Sequence, residues 1–330
     1  GGSLFKIEDW FEFPDNGHDF KANNDADLTR RINVINGTTI INPAPYRFMW
    51  RLRSRGAGDS AIESAAFNDM LNFVSPAGST DSSAINVPAV DSIIDYEQWM
   101  RIFACQHTVG NWDSYGFDRG KNGYAYKGAN GKFNHWTWDI DFTMGIGGRD
   151  AANDLFASND PRIVAMWNTP VIRRAYWRAF QDIVNGPLSN AFMDPILDAK
   201  AAALAANNVN YDPGQVATMK SYISGRRNYL LTRSGENVLS LGNISFTTAG
   251  TNFIVTSSNF VNLTGTAPVQ VKTILVNGAE YPVVWTSISG WTIRVPLSEA
   301  TNVLNLTSYD GHGNPLTNFA KTVTVNFTGL

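Results

Sequence analysis

The sequence predicts an α+β lobe over residues 1–235, followed by an all-β immunoglobulin-like sandwich over residues 236–330. Three observations predict it. At 330 residues, about two domains is the natural division. Helical periodicity dominates from residue 160 to 232 and stops after Leu231. From about residue 236 the chain turns to Val, Ile, Thr, Asn and Gly, in short runs at the spacing of a sandwich.

The elements follow in order. Residues 1–60 carry short aromatic-rich segments and Asn/Asp-rich turns, and Tyr46 to Arg53 alternates apolar with basic residues, as a half-buried strand or an exposed ribbon would. Ala61 to Val74 reads as a helix ended by Pro76-Ala77-Gly78, and Ser79 to Pro88 as a polar loop. Ser92 to His107 reads as a helix with Ile93, Tyr96, Met100, Phe103 and Ala104 on one stripe. Cys105 follows that stripe and reads as a small buried hydrophobe. Residues 108–131 are Gly-rich loop, and Lys132 to Thr143 has strand character broken by Gly145 to Gly148. Thr169-Pro170 is a helix start and Asn185-Gly186-Pro187 its stop, with Arg173, Arg174 and Arg178 on the expected polar face. Met193 to Ala206 and Pro213 to Leu231 are further helices. In the β-rich part, Val276-Asn277-Gly278 is a hairpin turn, and Trp285 and Trp291 read as core or edge aromatics of the sandwich.

Composition excludes several classes. With 26 basic and 29 acidic side chains the net charge is −3, so no general attraction to nucleic acid or anionic membrane follows. A local basic patch of Arg47, Arg51, Arg53 and Arg55 is still compatible with phosphate or an acidic protein, or with a solvated strand face. Cys105 is the only cysteine, so no disulfide forms within the chain. No run of 18 apolar residues is present, so the sequence predicts no transmembrane helix. The start at Gly1-Gly2-Ser3, without initiator Met or signal peptide, is expected to lie within a longer protein. Five Asn-x-Ser/Thr sequons, at Asn36, Asn243, Asn262, Asn305 and Asn326, are of a kind that Asn/Thr-rich β sequence produces by chance.

Two segments carry the chemistry. One is Gly110-Asn111-Trp112-Asp113-Ser114-Tyr115 with Lys121-Asn122-Gly123-Tyr124 after it; the other is Trp136-Thr137-Trp138-Asp139-Ile140-Asp141-Phe142-Thr143-Met144-Gly145. Phosphoryl transfer needs a carboxylate to orient the attacking hydroxyl, and an Asn and an Asp to hold magnesium on the phosphates. Asp113 and Asn122 share one loop at a spacing compatible with base and metal ligand. Asp139 and Asp141 stand two apart on the expected strand, so both side chains point to one face and call for a compensating cation. The plainer reading is turn chemistry for the first segment and an exposed loop or calcium site for the second. His107 and His135 flank the two segments, and His18 and His312 read as surface turn residues.

These residues resemble the CotH (spore coat protein H) kinase family, whose members share a remote protein-kinase-like fold. The resemblance rests on Leu4 to Phe13, Tyr46 to Arg51, Asn111-Trp112-Asp113 with Asn122-Gly123-Tyr124, and Trp138-Asp139-Ile140-Asp141 with Gly145, and it covers residues 1–232. It implies a kinase-like C-terminal lobe over 1–235. It gives Asp113 the role of catalytic base and makes Asn122 and Asp139 cofactor contacts. Asp139, or in second place Asp141, becomes the counterpart of the kinase metal-binding Asp, and Asn122, Asp139 and Asp141 are the implied magnesium ligands. ATP and magnesium are the implied cofactors, and an extracellular or cell-surface location is implied with them.

Family members also have an N-terminal lobe with an Arg-Gly-rich phosphate-contacting stretch and a nucleotide-contacting Lys. Arg55-Gly56 is only a faint echo of that stretch, and Lys6 and Lys132 do not fill the Lys position, so the chain resembles the second half of the catalytic domain. The leading expectation is transfer of a phosphoryl group from ATP to a protein hydroxyl by an incomplete chain, with a protein substrate or a surface or coat partner. The rivals are a non-catalytic structural surface or coat protein on a kinase-like scaffold, and a glycan-active protein using Asp113 and Asp139 as an acid/base pair.

Overall fold

A computed structural model describes residues 2–8, 10–12, 22–28, 32–54, 60–72, 85–250 and 252–329. Asp9, Phe13, His18, Arg55 and Gly56, and residues 79–84 of the expected polar loop, lie outside them. The chain opens on β1 (Ser3–Ile7), β2 (Trp10–Glu12), β3 (Ala22–Asn24), β4 (Ile32–Ile35) and β5 (Thr38–Ile41). Next come α1 (Pro43–Met49), β6 (Trp50–Leu52), α2 (Ser60–Asn72), α3 (Val87–Asp91) and α4 (Tyr96–Val109). The hairpin β7 (Gly123–Lys127) and β8 (Phe133–Thr137) precedes α5 (Pro161–Trp167), α6 (Pro170–Asn185), α7 (Asn190–Ala206), α8 (Pro213–Thr232) and α9 (Val238–Gly242). The rest is strand: β9 (Phe253–Thr256), β10 (Phe260–Thr266), β11 (Thr273–Val276), β12 (Ala279–Glu280), β13 (Val283–Trp285), β14 (Gly290–Pro296), β15 (Thr301–Tyr309) and β16 (Lys321–Phe327).

The helical part is organised by an antiparallel sheet in the order β6-β1-β7-β8. Strand alternation divides its faces. Phe5, Ile7, Ala125, Phe133 and His135 are buried on one face, with Trp99 and Phe103 of α4 in the same core. Asp95 caps α4, its carboxylate accepting from Gln98 N at 3.1 Å. The first turn of α4 is then fastened to β8. Gln98 donates to His135 O at 2.6 Å and accepts from His135 N at 2.8 Å, and Trp99 Nε1 donates to Phe133 O at 2.9 Å. Cys105 lies on the exposed side of α4, against the expectation that it would be buried. Tyr46 to Arg53 also departs from the expected strand. Asn42 caps α1 with Pro43 at its first position, the helix runs to Met49, and only the last residues join the sheet as β6.

The β-rich part encloses a second core. A three-stranded sheet, β10-β14-β13, contributes Val261, Leu263, Ile293 and Val295. A five-stranded sheet, β12-β11-β15-β16-β9, contributes Ile274, Leu304, Leu306, Val323 and Val325 to the same cluster. Trp285 and Trp291 are both buried in it. The turn at Asn277 and Gly278, with φ of 52° and 78°, joins β11 to β12 as the hairpin signal requires.

The two parts are locked by arginines that the sequence places on the polar face of an amphipathic helix. Arg174 of α6 is fully buried. Its guanidinium donates to Ala267 O, Ile288 O, Pro268 O and Val271 O at 3.2, 2.5, 2.7 and 2.7 Å. It also lies 3.4 Å from the centroid of the Trp285 ring. Arg178 pairs with Glu97 of α4 at 3.1 Å, and Glu97 takes Lys272 from the β-rich part at 2.8 Å. The helix face is basic because another layer of protein covers it with carbonyl and carboxylate oxygens.

Candidate functional site

The first segment begins where α4 ends. Gly110 caps the helix in the left-handed region, φ 71°, and a Cβ there would come within 2.7 Å of the Tyr222 hydroxyl, so glycine is required. The chain turns back at once. Ser114 Oγ donates to Asn111 O at 2.6 Å, and Tyr115 N donates to Lys121 O at 2.6 Å, closing the loop on itself. His107 Nε2 donates to Gly116 O at 2.9 Å from beneath. Burial holds His107 and His135 down to about 3, so both are neutral imidazoles that support the loop and the sheet. Tyr115 is anchored by Asp160, whose Oδ2 accepts its hydroxyl at 2.8 Å and Leu28 N at 3.0 Å. Burial, then the nearby Asp27, raises the Asp160 carboxyl to about 6.

Asp113 is buried in this loop. Its Oδ2 lies 3.1 Å from Lys121 Nζ and accepts from Asn122 Nδ2 at 3.3 Å. The same Asn122 nitrogen donates to Asp113 O at 2.8 Å. Two acceptors on one amide group fix it as the NH2, which turns the Asn122 side-chain oxygen away from Asp113. Asn122 has φ 56°, a conformation Asn tolerates, and it delivers the chain into β7.

The second segment differs from expectation. Strand β8 ends at Thr137, and Trp138 N donates to Asn122 O at 3.0 Å, which ties the end of β8 to the start of β7. Asp139 then takes φ 53°, so Asp139 and Asp141 lie on an exposed turn and not on one face of a strand. That turn is stitched to the first segment. Met144 N donates to Val109 O at 2.6 Å, Trp112 Nε1 donates to Gly147 O at 3.2 Å, and the Trp112 and Phe142 rings stack at 5.8 Å. The structure therefore puts Asp113 and Asn122 in direct contact, and seats the Asp139–Asp141 turn beside Asn122 through the backbone.

Among the described residues no three His, Cys, Asp or Glu side chains group as a metal site. Magnesium is commonly held by only one or two carboxylates, with the rest of its shell from outside the protein, and needs no such group. Lys6 pairs with Glu8 and Lys132 with Asp91, so both are engaged away from Asp113.

Sequence reasoning missed two features. One is Lys121 itself; a cation directly before Asn122 was its signal. The other is an aromatic surface. Trp136, Trp138 and Ile140 are 58%, 53% and 59% exposed, and Tyr124 meets Trp138 edge-on at 5.8 Å. Register places Arg51, Lys6, Tyr124 and Trp136 in one row on the outer face of the four-stranded sheet.

Comparison with known proteins adds a family. The family described as CotH kinase protein matches residues 55–234, just over half of the 330 residues. The match takes in Asp113, Asn122, Asp139 and Asp141. No curated protein matches the chain. Among the described residues no helix is long and apolar enough to cross a membrane.

Proposed function

Because the chain belongs to the CotH kinase protein family, we propose that it transfers the γ-phosphoryl group of ATP to a protein hydroxyl, with magnesium. The observation that carries the reading is the Asp113–Asn122 pair, held in a closed loop beside a turn with two exposed carboxylates. Such transfer asks little covalent chemistry of a protein and much positioning. Asp113 orients the acceptor hydroxyl and takes its proton. The Asn122 side-chain oxygen and Asp139, with Asp141 beside it, would hold magnesium, which would supply charge neutralisation on the phosphates. Trp136, Trp138 and Tyr124 offer the nucleotide base a stacking surface. The β-rich part, as an immunoglobulin-like sandwich, would serve attachment or partner binding at an extracellular or cell-surface location.

One observation favours a second reading, a non-catalytic surface or coat scaffold: the Asp113 carboxylate is already paired with Lys121 inside the protein. Incubation of the protein with γ-labelled ATP and magnesium separates the two. Label is expected on serine, threonine or tyrosine of added casein or of the protein itself, and EDTA is expected to abolish it. Absence of label with magnesium present would leave the scaffold.

A further inference from the structure

The geometry points to Lys121 as the positioning residue of the transfer, acting through Asp113; the assignment rests on the phosphotransferase reading above. Lys121 Nζ stands 3.1 Å from Asp113 Oδ2, and Asn122 Nδ2 reaches the same oxygen at 3.3 Å. With two donors on Oδ2, the carboxylate is held by one edge and Oδ1 is the oxygen left for an acceptor hydroxyl. The ammonium is placed by the loop. Lys121 O accepts Tyr115 N at 2.6 Å, and Gly120 packs so closely on the Ala26 backbone that a Cβ would overlap it. Ala26 N donates to Gly120 O at 2.9 Å, fixing the approach from the other side. The pair is half-buried, so solvent and salt screen it less than a surface pair.

In the reaction, the acceptor oxygen forms its bond to the γ-phosphorus as the bond from that phosphorus to the bridging oxygen of ATP breaks. ADP leaves with the electron pair, and the acceptor's proton goes to Asp113 Oδ1. Lys121 holds the carboxylate in register through the step, so that Oδ1 stays on the acceptor hydroxyl.

The test uses the intact protein with Lys121→Met, Lys121→Arg and Asp113→Asn, singly and combined, reading magnesium-ATP transfer to casein by single turnover together with nucleotide affinity. Lys121→Met is expected to lower kcat roughly 10²-fold with nucleotide affinity unchanged, and Lys121→Arg to regain most of it. In the Asp113→Asn background, Lys121→Met is expected to add no further loss, because its effect runs through Asp113. A merely structural lysine would give the same fold-loss in both backgrounds, with no rescue by arginine, and that result would overturn the assignment. Full activity of Lys121→Met would overturn it alone. No transfer by the wild-type protein would overturn the phosphotransferase reading, and this assignment with it.

Discussion

Asp113→Asn is expected to cut phosphoryl transfer by about 10²–10⁴-fold, the usual weight of a positioned general base, while nucleotide affinity stays as in the wild type. The substitution is nearly isosteric. The amide can still accept from Asn122 Nδ2, so the loop closed by Tyr115 N and Lys121 O keeps its shape. What is lost is the acceptor for the hydroxyl proton and the charge partner of Lys121. A loss confined to kcat marks an interaction made in the transition state. A loss confined to KM would move Asp113 from base to binding residue, and unchanged transfer would remove it from the mechanism. The variant should match the wild type in thermal unfolding, which separates this outcome from misfolding.

Arg174→Met is expected to be the most damaging substitution for stability. Leaving a buried hydrogen-bonding group without its partner costs about 1–3 kcal/mol. Here the guanidinium satisfies the carbonyls of Ala267, Pro268, Val271 and Ile288, and covers the Trp285 ring. Methionine fills part of the volume but donates nothing, so buried carbonyl oxygens lose their partner. Lysine is not a substitute, because a point charge on a flexible stem cannot reach four carbonyls spread around a planar fork. Urea unfolding should show a lowered midpoint for Arg174→Met and for Arg174→Lys, and limited proteolysis should open the linkage between α9 and β9 before the rest of the chain. A midpoint equal to the wild type would show that the β-rich part is held by its apolar contacts alone.

What could be read in advance follows from the range of each interaction. Helix α6 was legible at both ends, since Thr169-Pro170 and Asn185-Gly186 are local signals. The turn at Asn277-Gly278 was legible for the same reason. The polarity of α6 was not. Arg174 and Arg178 look like a solvated face in sequence, and only the carbonyls of residues 267–288 and the carboxylate of Glu97, distant in the chain, bury them. Tyr46 to Arg53 misled because alternation outweighed Pro43 and Asn42, which start a helix. At the site, Asp113 and Asn122 were legible as residue types in one loop. The left-handed turn at Asp139 was not, because it follows from the hydrogen bond between Trp138 N and Asn122 O, a contact between the two ends of a hairpin.

The proposed function requires that the loop of Asp113 and Asn122 and the turn of Asp139 and Asp141 hold one metal-bound nucleotide. The measurement that meets it most directly is paramagnetic broadening in the isotope-labelled protein, with manganese in place of magnesium and a non-hydrolysable ATP analogue. The Asn122 side-chain NH2 signals and the backbone amides of Asp113, Asp139 and Asp141 are expected to broaden together on addition of the manganese–nucleotide complex, and to recover with EDTA. Broadening at only one of the two segments, or at neither while the complex binds elsewhere, would contradict it.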